Sequence, residues 1–498
     1  MVVRKVSQYL LIGFIALTSS GILIARTSII GEAPGFKNQE IYLLEYQEFL
    51  LGSYRVLDHA KVDSSGAFKF DFEVSEDITY LGLECGLVRS HLYAQGGQSY
   101  KVLFEKPVNG RIGSFGKPAL SELVFFDLDS ADINWNIIDF NLMYEEFFQE
   151  NYSSLENLSA SGTTARDSAY SAPEQKARTM QRLFTAFQDF EKSMDQRYAG
   201  VDSPFFQDYR KGVMGLTMMN NLTTDRKEIH ERYIRQCRYD HRNPEASALY
   251  ERFFADYLSQ SSDATFGKSG WAAISTGGWF EEIMTLLSED AFISDDHTQS
   301  SIMLGILLDA WTEERFPRKE IITGLERLYT QGNPTAGIIR ERLERQLRGQ
   351  KLRGLSLADR NGNRKSPEDL LEGPIVVEFW AGWCTRCSKQ HRLLETLNTG
   401  ERFSIYAVNM DDDMDAFRAA LEQRIPNENR IDVFVGNDPG IKQDHSIASL
   451  PVYILLDSEG KRVSEGYRYT IEELEPQLMK LLKEARPSSR PTVGSKEN

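Results

Sequence analysis

Two of the four cysteines in this 498-residue chain, Cys384 and Cys387, stand three positions apart. On a helix start this spacing puts the thiols one turn from each other, close enough to form a small disulfide loop. The unpaired N–H groups and the dipole at such a start stabilise an anion, so the first sulfur is the better nucleophile. Cys384 would attack a partner disulfide as the thiolate and form a mixed disulfide. Cys387 would then resolve it, leaving the partner reduced and the pair oxidised; the reverse course would oxidise or isomerise partners. Arg386, between the two, adds a cation that favours the thiolate.

Two other uses of the motif fit less well. A tetrahedral zinc site needs four ligands, usually as two such pairs, whereas Cys85 and Cys237 are isolated and more than a hundred positions away. His391 and His445 could complete a site but lack the close His-x-His spacing of a zinc finger, so no metal is expected. A purely structural disulfide across so short a loop would constrain the unfolded chain little. Cys85 reads as a small buried residue at a strand end. Cys237, flanked by Arg235 and Arg238, would be activated if partly exposed; a lone thiol on a helix is the simpler reading.

The pair needs elements to position it. Ile375 to Trp380 reads as a buried strand leading into a helix from Cys384 to about Leu397. Strand Phe403 to Val408, helix Met414 to Gln423, strands Ile431 to Val435, Val452 to Leu456 and Arg462 to Tyr467, and helix Ile471 to Leu482 follow. This alternation predicts an α/β layer fold over 351–486, with a polar, disordered tail at 487–498. Ahead of it, 109–350 carries helical periodicity: Leu249, Tyr250, Phe253, Phe254, Tyr257 and Leu258 form one stripe behind Asn243-Pro244-Glu245, a cap, a first-turn proline and an acid. Leu183, Phe184, Phe187 and Met194 form another, and Ile302, Ile306, Leu307 and Trp311 a third. Such stripes are expected to be core rather than a ligand box. Ser153 to Pro173 reads as an exposed loop. From 27 to 108 the pattern is β: Phe68, Phe70, Phe72 and Val74 alternate with Lys69, Asp71 and Glu73 after an Asp63-Ser64-Ser65-Gly66 turn. With Ile41 to Tyr46, Tyr80 to Glu84 and Tyr100 to Phe104, this predicts a small antiparallel sandwich.

Three such units agree with the length, at roughly 150 residues per domain. The terminus carries Arg4 and Lys5, the apolar run Tyr9 to Leu17, small polar Thr18 to Gly21 and apolar Ile22 to Ala25. This is the layout of a secretory signal, or of an uncleaved anchor since 9–25 is at the low end of spanning length, and it predicts export with 1–25 as the targeting element. No cysteine lies near its end to carry a lipid. The net charge of −16 and the absence of a long Lys/Arg run argue against nucleic-acid binding. No cofactor is expected. The few cysteines exclude a disulfide-stapled scaffold, so burial must hold the fold.

Pro374-Ile375-Val376-Val377-Glu378-Phe379-Trp380-Ala381-Gly382-Trp383-Cys384-Thr385-Arg386-Cys387 resembles the active-site strand and helix start of the thioredoxin superfamily. Ser449-Leu450-Pro451-Val452-Tyr453-Ile454-Leu455-Leu456-Asp457-Ser458-Glu459-Gly460, about 65 residues on, resembles its cis-proline loop, strand and acidic turn. The layout as a whole resembles the TlpA/ResA-like envelope oxidoreductases of bacteria, in a long multidomain form, although the first two units match in pattern only. The resemblance implies a thioredoxin fold over 352–485 and a periplasmic or envelope location. It also implies exchange with protein thiols and disulfides, and a membrane electron donor if the protein reduces its partners. Pro451 would pack against the redox pair and Leu450 would offer backbone groups to a bound peptide. Trp383, Thr385 and Arg386 complete the expected partner-facing surface, with Trp380 beside the disulfide.

Four positions depart from the family pattern. Thr385-Arg386 replaces a proline-containing dipeptide, so the redox potential does not transfer. Gln390 stands where many members have a glutamate, and Arg392 where a proline is frequent. Glu378 aligns with a buried carboxylate that could take the Cys387 proton, its pKa raised by burial; an edge-exposed strand acid is the other reading. A protein disulfide reductase is the leading expectation over an oxidase or isomerase. The alternative is a non-catalytic envelope scaffold with a thioredoxin-like docking domain. Peroxidase chemistry is weaker, since peroxiredoxins place their cysteine differently.

Overall fold

The computed structural model describes residues 26–74, 77–107, 118–159, 173–222, 225–255, 279–290, 292–293, 295–312, 317–370, 373–399, 403–424 and 427–484. The targeting element at 1–25, the tail at 487–498, and Tyr257 and Leu258 lie outside these residues.

Alternation of apolar and charged residues builds β4 (Ala67–Phe72), in which Phe68, Phe70 and Phe72 are buried and Lys69 and Asp71 are not. Val74 lies beyond the strand. β4 joins β1 (Thr27–Glu32), β7 (Ser99–Phe104) and β9 (Leu123–Phe126) in a sheet of order β4-β1-β7-β9. A second sheet, ordered β3-β2-β5-β6-β8, holds β2 (Glu40–Glu48), β3 (Ser53–Lys61), β5 (Ile78–Cys85), β6 (Val88–Gln95) and β8 (Ala119–Leu120). Ile29, Phe70, Leu81, Leu83 and Phe104 fill the core between them. Two expectations need correction. The sheets are mixed, because β1 runs parallel to β7 and β8 parallel to β6. The unit also continues past 108 to Phe126, since β8 and β9 return to pair with β6 and β7.

The helical unit comprises α1 (Ile133–Ser159), α2 (Pro173–Arg197), α3 (Pro204–Thr217), α4 (Arg226–Arg232), α5 (Pro244–Phe254), α6 (Trp279–Ser288), α7 (Asp296–Thr312), α8 (Arg318–Thr330) and α9 (Pro334–Glu344). The aromatic and aliphatic stripes form its core, with Phe187, Leu249 and Phe253 fully buried, and the Asn243 side chain accepts from Ala246 N as the cap of α5. The loop expected from Ser153 is not formed over 153–159, where α1 continues to Ser159. The stretch 160–172 lies outside the described residues.

The last unit is a six-stranded sheet of order β11-β10-β14-β13-β12-β15. Its elements are β10 (Leu357–Asp359), β11 (Arg364–Lys365), β12 (Ile375–Trp380), α10 (Thr385–Leu397), β13 (Ser404–Asn409), α11 (Met414–Glu422), β14 (Arg430–Phe434), α12 (Pro439–Asp444), β15 (Val452–Leu456) and α13 (Ile471–Glu484). β12, β13 and β14 run parallel and β15 antiparallel to β12. The expected strand at Arg462 to Tyr467 is not formed. Gly460 and Gly466, at φ 75° and 70°, bend the chain, and the return makes only single bridges, Leu456 with Arg462 and Tyr453 with Arg468. Helix α12 was not foreseen; Asp438 caps it by accepting from Gly440 N and Ile441 N, with Pro439 in the first turn.

The units are tied by polar contacts. Lys442 Nζ of α12 donates to buried Glu84 of β5 at 2.8 Å, and Arg342 of α9 donates to the Leu51 carbonyl at 2.7 Å. Among the described residues, no helix is long and apolar enough to cross a membrane.

Candidate redox site

All six residues of β12 are buried, so the strand delivers the chain at Ala381 to a fixed place at the C-terminal end of the sheet's parallel strands. The next turn is held from below. Gly382 N donates to both carboxylate oxygens of Asp411, at 2.8 and 3.0 Å, and Asn409 Nδ2 donates to the same carboxylate at 2.8 Å. A Cβ on residue 382 would stand 2.8 Å from the Ala420 Cβ, so only glycine fits this approach.

The turn ends at Cys384, the N-cap of α10, whose Sγ accepts from Cys387 N at 3.1 Å. Here the cap is a sulfur, in the place where orphan helix N–H groups and the dipole favour a negative atom. Cys384 and Cys387 are joined by a disulfide with Cα atoms 5.2 Å apart. Cys387 is wholly buried, Cys384 is 6% exposed, and Trp383 beside it is 52% exposed. Thr385 and Arg386 are exposed on the first turn, whereas Cys387, Gln390, His391 and Leu394 line the buried face of α10. The Leu450–Pro451 bond is cis. Phe379 pairs with Val452, so the register places Pro451 across from Trp380, at the end of β12 that leads to the pair. Trp380 itself is buried.

Behind the disulfide lies Glu378, fully buried rather than edge-exposed. Its Oε1 receives the Tyr453 hydroxyl at 3.1 Å and lies 2.6 Å from His391 Nδ1; its Oε2 receives Arg424 Nη2 at 3.0 Å. The expected upward shift is corrected by these partners. Burial alone raises the carboxyl, but the His391 ring and the Arg424 guanidinium outweigh it and hold Glu378 down at about 2. The acid is therefore locked as a carboxylate. Arg424 also donates to Asp432 at 3.0 Å and lies 4.4 Å over the Trp380 ring.

The remaining candidates sit elsewhere. His445 turns Nε2 to the Arg353 carbonyl at 2.9 Å, and burial holds it down at about 4. Cys85 is buried, its thiol pushed up to about 12 by burial, and Cys237 is buried and shifted up for the same reason. Gln390 ties α10 to the start of α13 by accepting from Ile471 N at 2.6 Å. Arg424, Tyr453 and Asp411 were not singled out from the sequence. Arg424 and Tyr453 lie 46 and 75 positions from Glu378, and no local spacing announces such pairings.

Comparison with known proteins matches residues 347–481 to the Redoxin family model. A thioredoxin-like protein, YneN, of Bacillus subtilis is 24% identical over 120 residues, which are 22% of this chain and 66%, just under two thirds, of that relative. Among solved structures, a thiol:disulfide interchange protein from Bacteroides sp. is 25% identical, with 28% of this chain and 92% of that one covered and a TM-score of 0.25. A thiol-disulfide oxidoreductase from Bacteroides fragilis is 23% identical, with 25% and 95% covered and a TM-score of 0.23. Residues 347–481, which hold the strand, the capped Cys-x-x-Cys helix and the Leu450–Pro451 turn, thus form a thioredoxin-like unit similar to the Redoxin family.

Proposed function

We propose that this protein is an exported thiol–disulfide oxidoreductase of the cell envelope, acting on protein disulfides through Cys384 and Cys387. The observation that carries the reading is the disulfide at the cap of α10, with one sulfur at the surface edge and the other wholly buried. In the reducing direction, Cys384 attacks as the thiolate and displaces one partner sulfur. Cys387 then bonds to Cys384, the partner's second sulfur leaves, and two electrons have passed from the pair to the partner. Trp383, Thr385, Arg386, Leu450 and Pro451 frame the surface on which a partner peptide lies. Reduction in an oxidising compartment needs electrons from outside, and the resemblance to the TlpA/ResA-like proteins points to a membrane reductant as their source. Export rests on the basic and apolar pattern of 1–25.

A Cys387→Ser variant tests this. With the resolving thiol gone, partners accumulate as mixed disulfides on Cys384, visible on non-reducing gels and released by reductant. A variant that captures no more than the double Cys384→Ser/Cys387→Ser protein would favour a docking role instead.

A further inference from the structure

Reduction and reoxidation of Cys387 require a group that takes and returns its proton. Glu378, the natural candidate from the sequence, is occupied: three donors surround a carboxylate with no room left on its titration. His391 is differently placed. It follows Cys387 by four residues on the buried face of α10, where i and i+4 side chains are neighbours, about 5–6 Å apart at Cβ. Its Nδ1 lies 2.6 Å from Glu378 Oε1 and 2.9 Å from Arg424 Nη2. One ring nitrogen cannot donate and accept at once, and a contact this short to a carboxylate requires the proton on Nδ1. In the neutral ring the lone pair is then on Nε2, which is buried and has no hydrogen-bond partner. His391 as a whole is 9% exposed, its ring standing edge-on to Trp380 with centroids 5.0 Å apart. A carboxylate that orients an imidazole through Nδ1–H and leaves Nε2 free is the arrangement of a general base beside a nucleophile.

Building on the oxidoreductase reading, we propose that His391 is the proton acceptor of the resolving cysteine, with Glu378 as its positioning partner. In the resolving step the Cys387 S–H bond breaks and the proton passes to His391 Nε2, directly or through one water. The Cys387 thiolate bonds to Cys384 Sγ, the bond from Cys384 to the partner sulfur breaks, and that sulfur leaves with the electron pair. The proton is then returned to the departing thiolate or to solvent. The Glu378 carboxylate balances the transient imidazolium. The charged and titratable groups around the ring are Glu378 from β12, Tyr453 from β15, Arg424 after α11 with Asp432 of β14 behind it, and Glu395 on α10 itself. His391 also lines a cleft of about 510 Å³ with Trp383, Arg392 and Asp411, which gives the proton a way out beside the partner-facing surface.

The test uses the reduced full chain and 5,5′-dithiobis(2-nitrobenzoate) as a model disulfide. The first thiolate released reports attack by Cys384 and the second reports resolution by Cys387. For His391→Phe, the second phase is expected to slow at least tenfold at pH 7 and to rejoin wild type above about pH 9, where a thiol ionises unaided, while the first phase is unchanged. An unchanged second phase, or an equal loss in both phases at every pH, would overturn the proposal. A second measurement needs no variant: imidazole ¹⁵N shifts of the wild type at pH 7 should show His391 protonated on Nδ1 alone. A proton on Nε2, with or without one on Nδ1, removes the free base and overturns it. A wild type that releases no second thiolate overturns the redox reading itself, and the proton role with it.

Discussion

Replacing Arg424 with leucine removes a cation from a carboxylate that has no access to water. Glu378 is 0% exposed and held at about 2 against an ordinary 4.5. At about 1.4 kcal/mol per unit, this drop is on the order of 3 kcal/mol in favour of the ionised form, a sum to which His391 and Arg424 both contribute. Breaking a buried pair from one side usually costs about 3–5 kcal/mol, because the remaining charge stays buried. Arg424→Leu is therefore expected to destabilise the region around β12 by roughly 3 kcal/mol at pH 7, or about a hundredfold in amide protection. Hydrogen exchange read by mass spectrometry on peptides covering 375–380 in the full chain localises the effect. The pH dependence is specific. A carboxyl lowered by folding stabilises fully above its unfolded value, and that stability is lost as pH falls from about 4.5 towards 2. Without Arg424 the acid protonates sooner and the deficit shrinks, so at pH 4 wild type and variant should lie closer together than at pH 7. Replacing both Glu378 and Arg424 with leucine should recover part of the loss. A neutral Arg424→Leu at pH 7, or a deficit equal at both pH values, would refute the reasoning.

Lys442→Met removes the 2.8 Å contact that joins the thioredoxin-like unit to Glu84, yet Arg89 still pairs with that carboxylate, so a loss of about 2 kcal/mol is expected, read as faster proteolytic release of the C-terminal unit. His91 and His445 are both held near 4 by burial, so the unfolded chain takes up protons that the folded one refuses. Stability in the β and thioredoxin-like units should be complete above about pH 6.5 and decline as pH falls to about 4, measured by thermal unfolding across that range. Gly382→Ala places a Cβ 2.8 Å from Ala420 and should displace the turn before Cys384, slowing the first phase of disulfide exchange at least tenfold with the fold retained by circular dichroism.

Local chemistry was legible where one element carries it. The apolar run 375–380 and the helix behind Cys384 follow from pattern and capping, and the structure places them within a residue of expectation. The extent and mixed order of the first sheets were not legible, because Ala119–Leu120 and Leu123–Phe126 are too short to announce themselves and the parallel pairing of β1 with β7 joins segments distant in sequence, Ser28 with Ser99. The Arg462 return misled because it follows a turn sequence, Asp457-Ser458-Glu459-Gly460, while Gly460 and Gly466 decide the backbone. The Glu378 environment was beyond reach for another reason. Burial argues for a raised acid, and the sign reverses only through His391 and Arg424, which the fold alone brings together.

The central claim is that Cys384 and Cys387 are a working couple while Cys85 and Cys237 are not. The direct measurement is to equilibrate the full chain in glutathione buffers of graded potential, quench with alkylating agent and quantify each cysteine by mass spectrometry. Cys384 and Cys387 are expected to convert together in one reversible two-electron transition. A midpoint near about −270 mV would mark a reductase and one near about −120 mV an oxidase. Buried Cys85 and Cys237 should remain thiols throughout. A pair that stays in one state across the whole series, or that exchanges only after the protein unfolds, would contradict it.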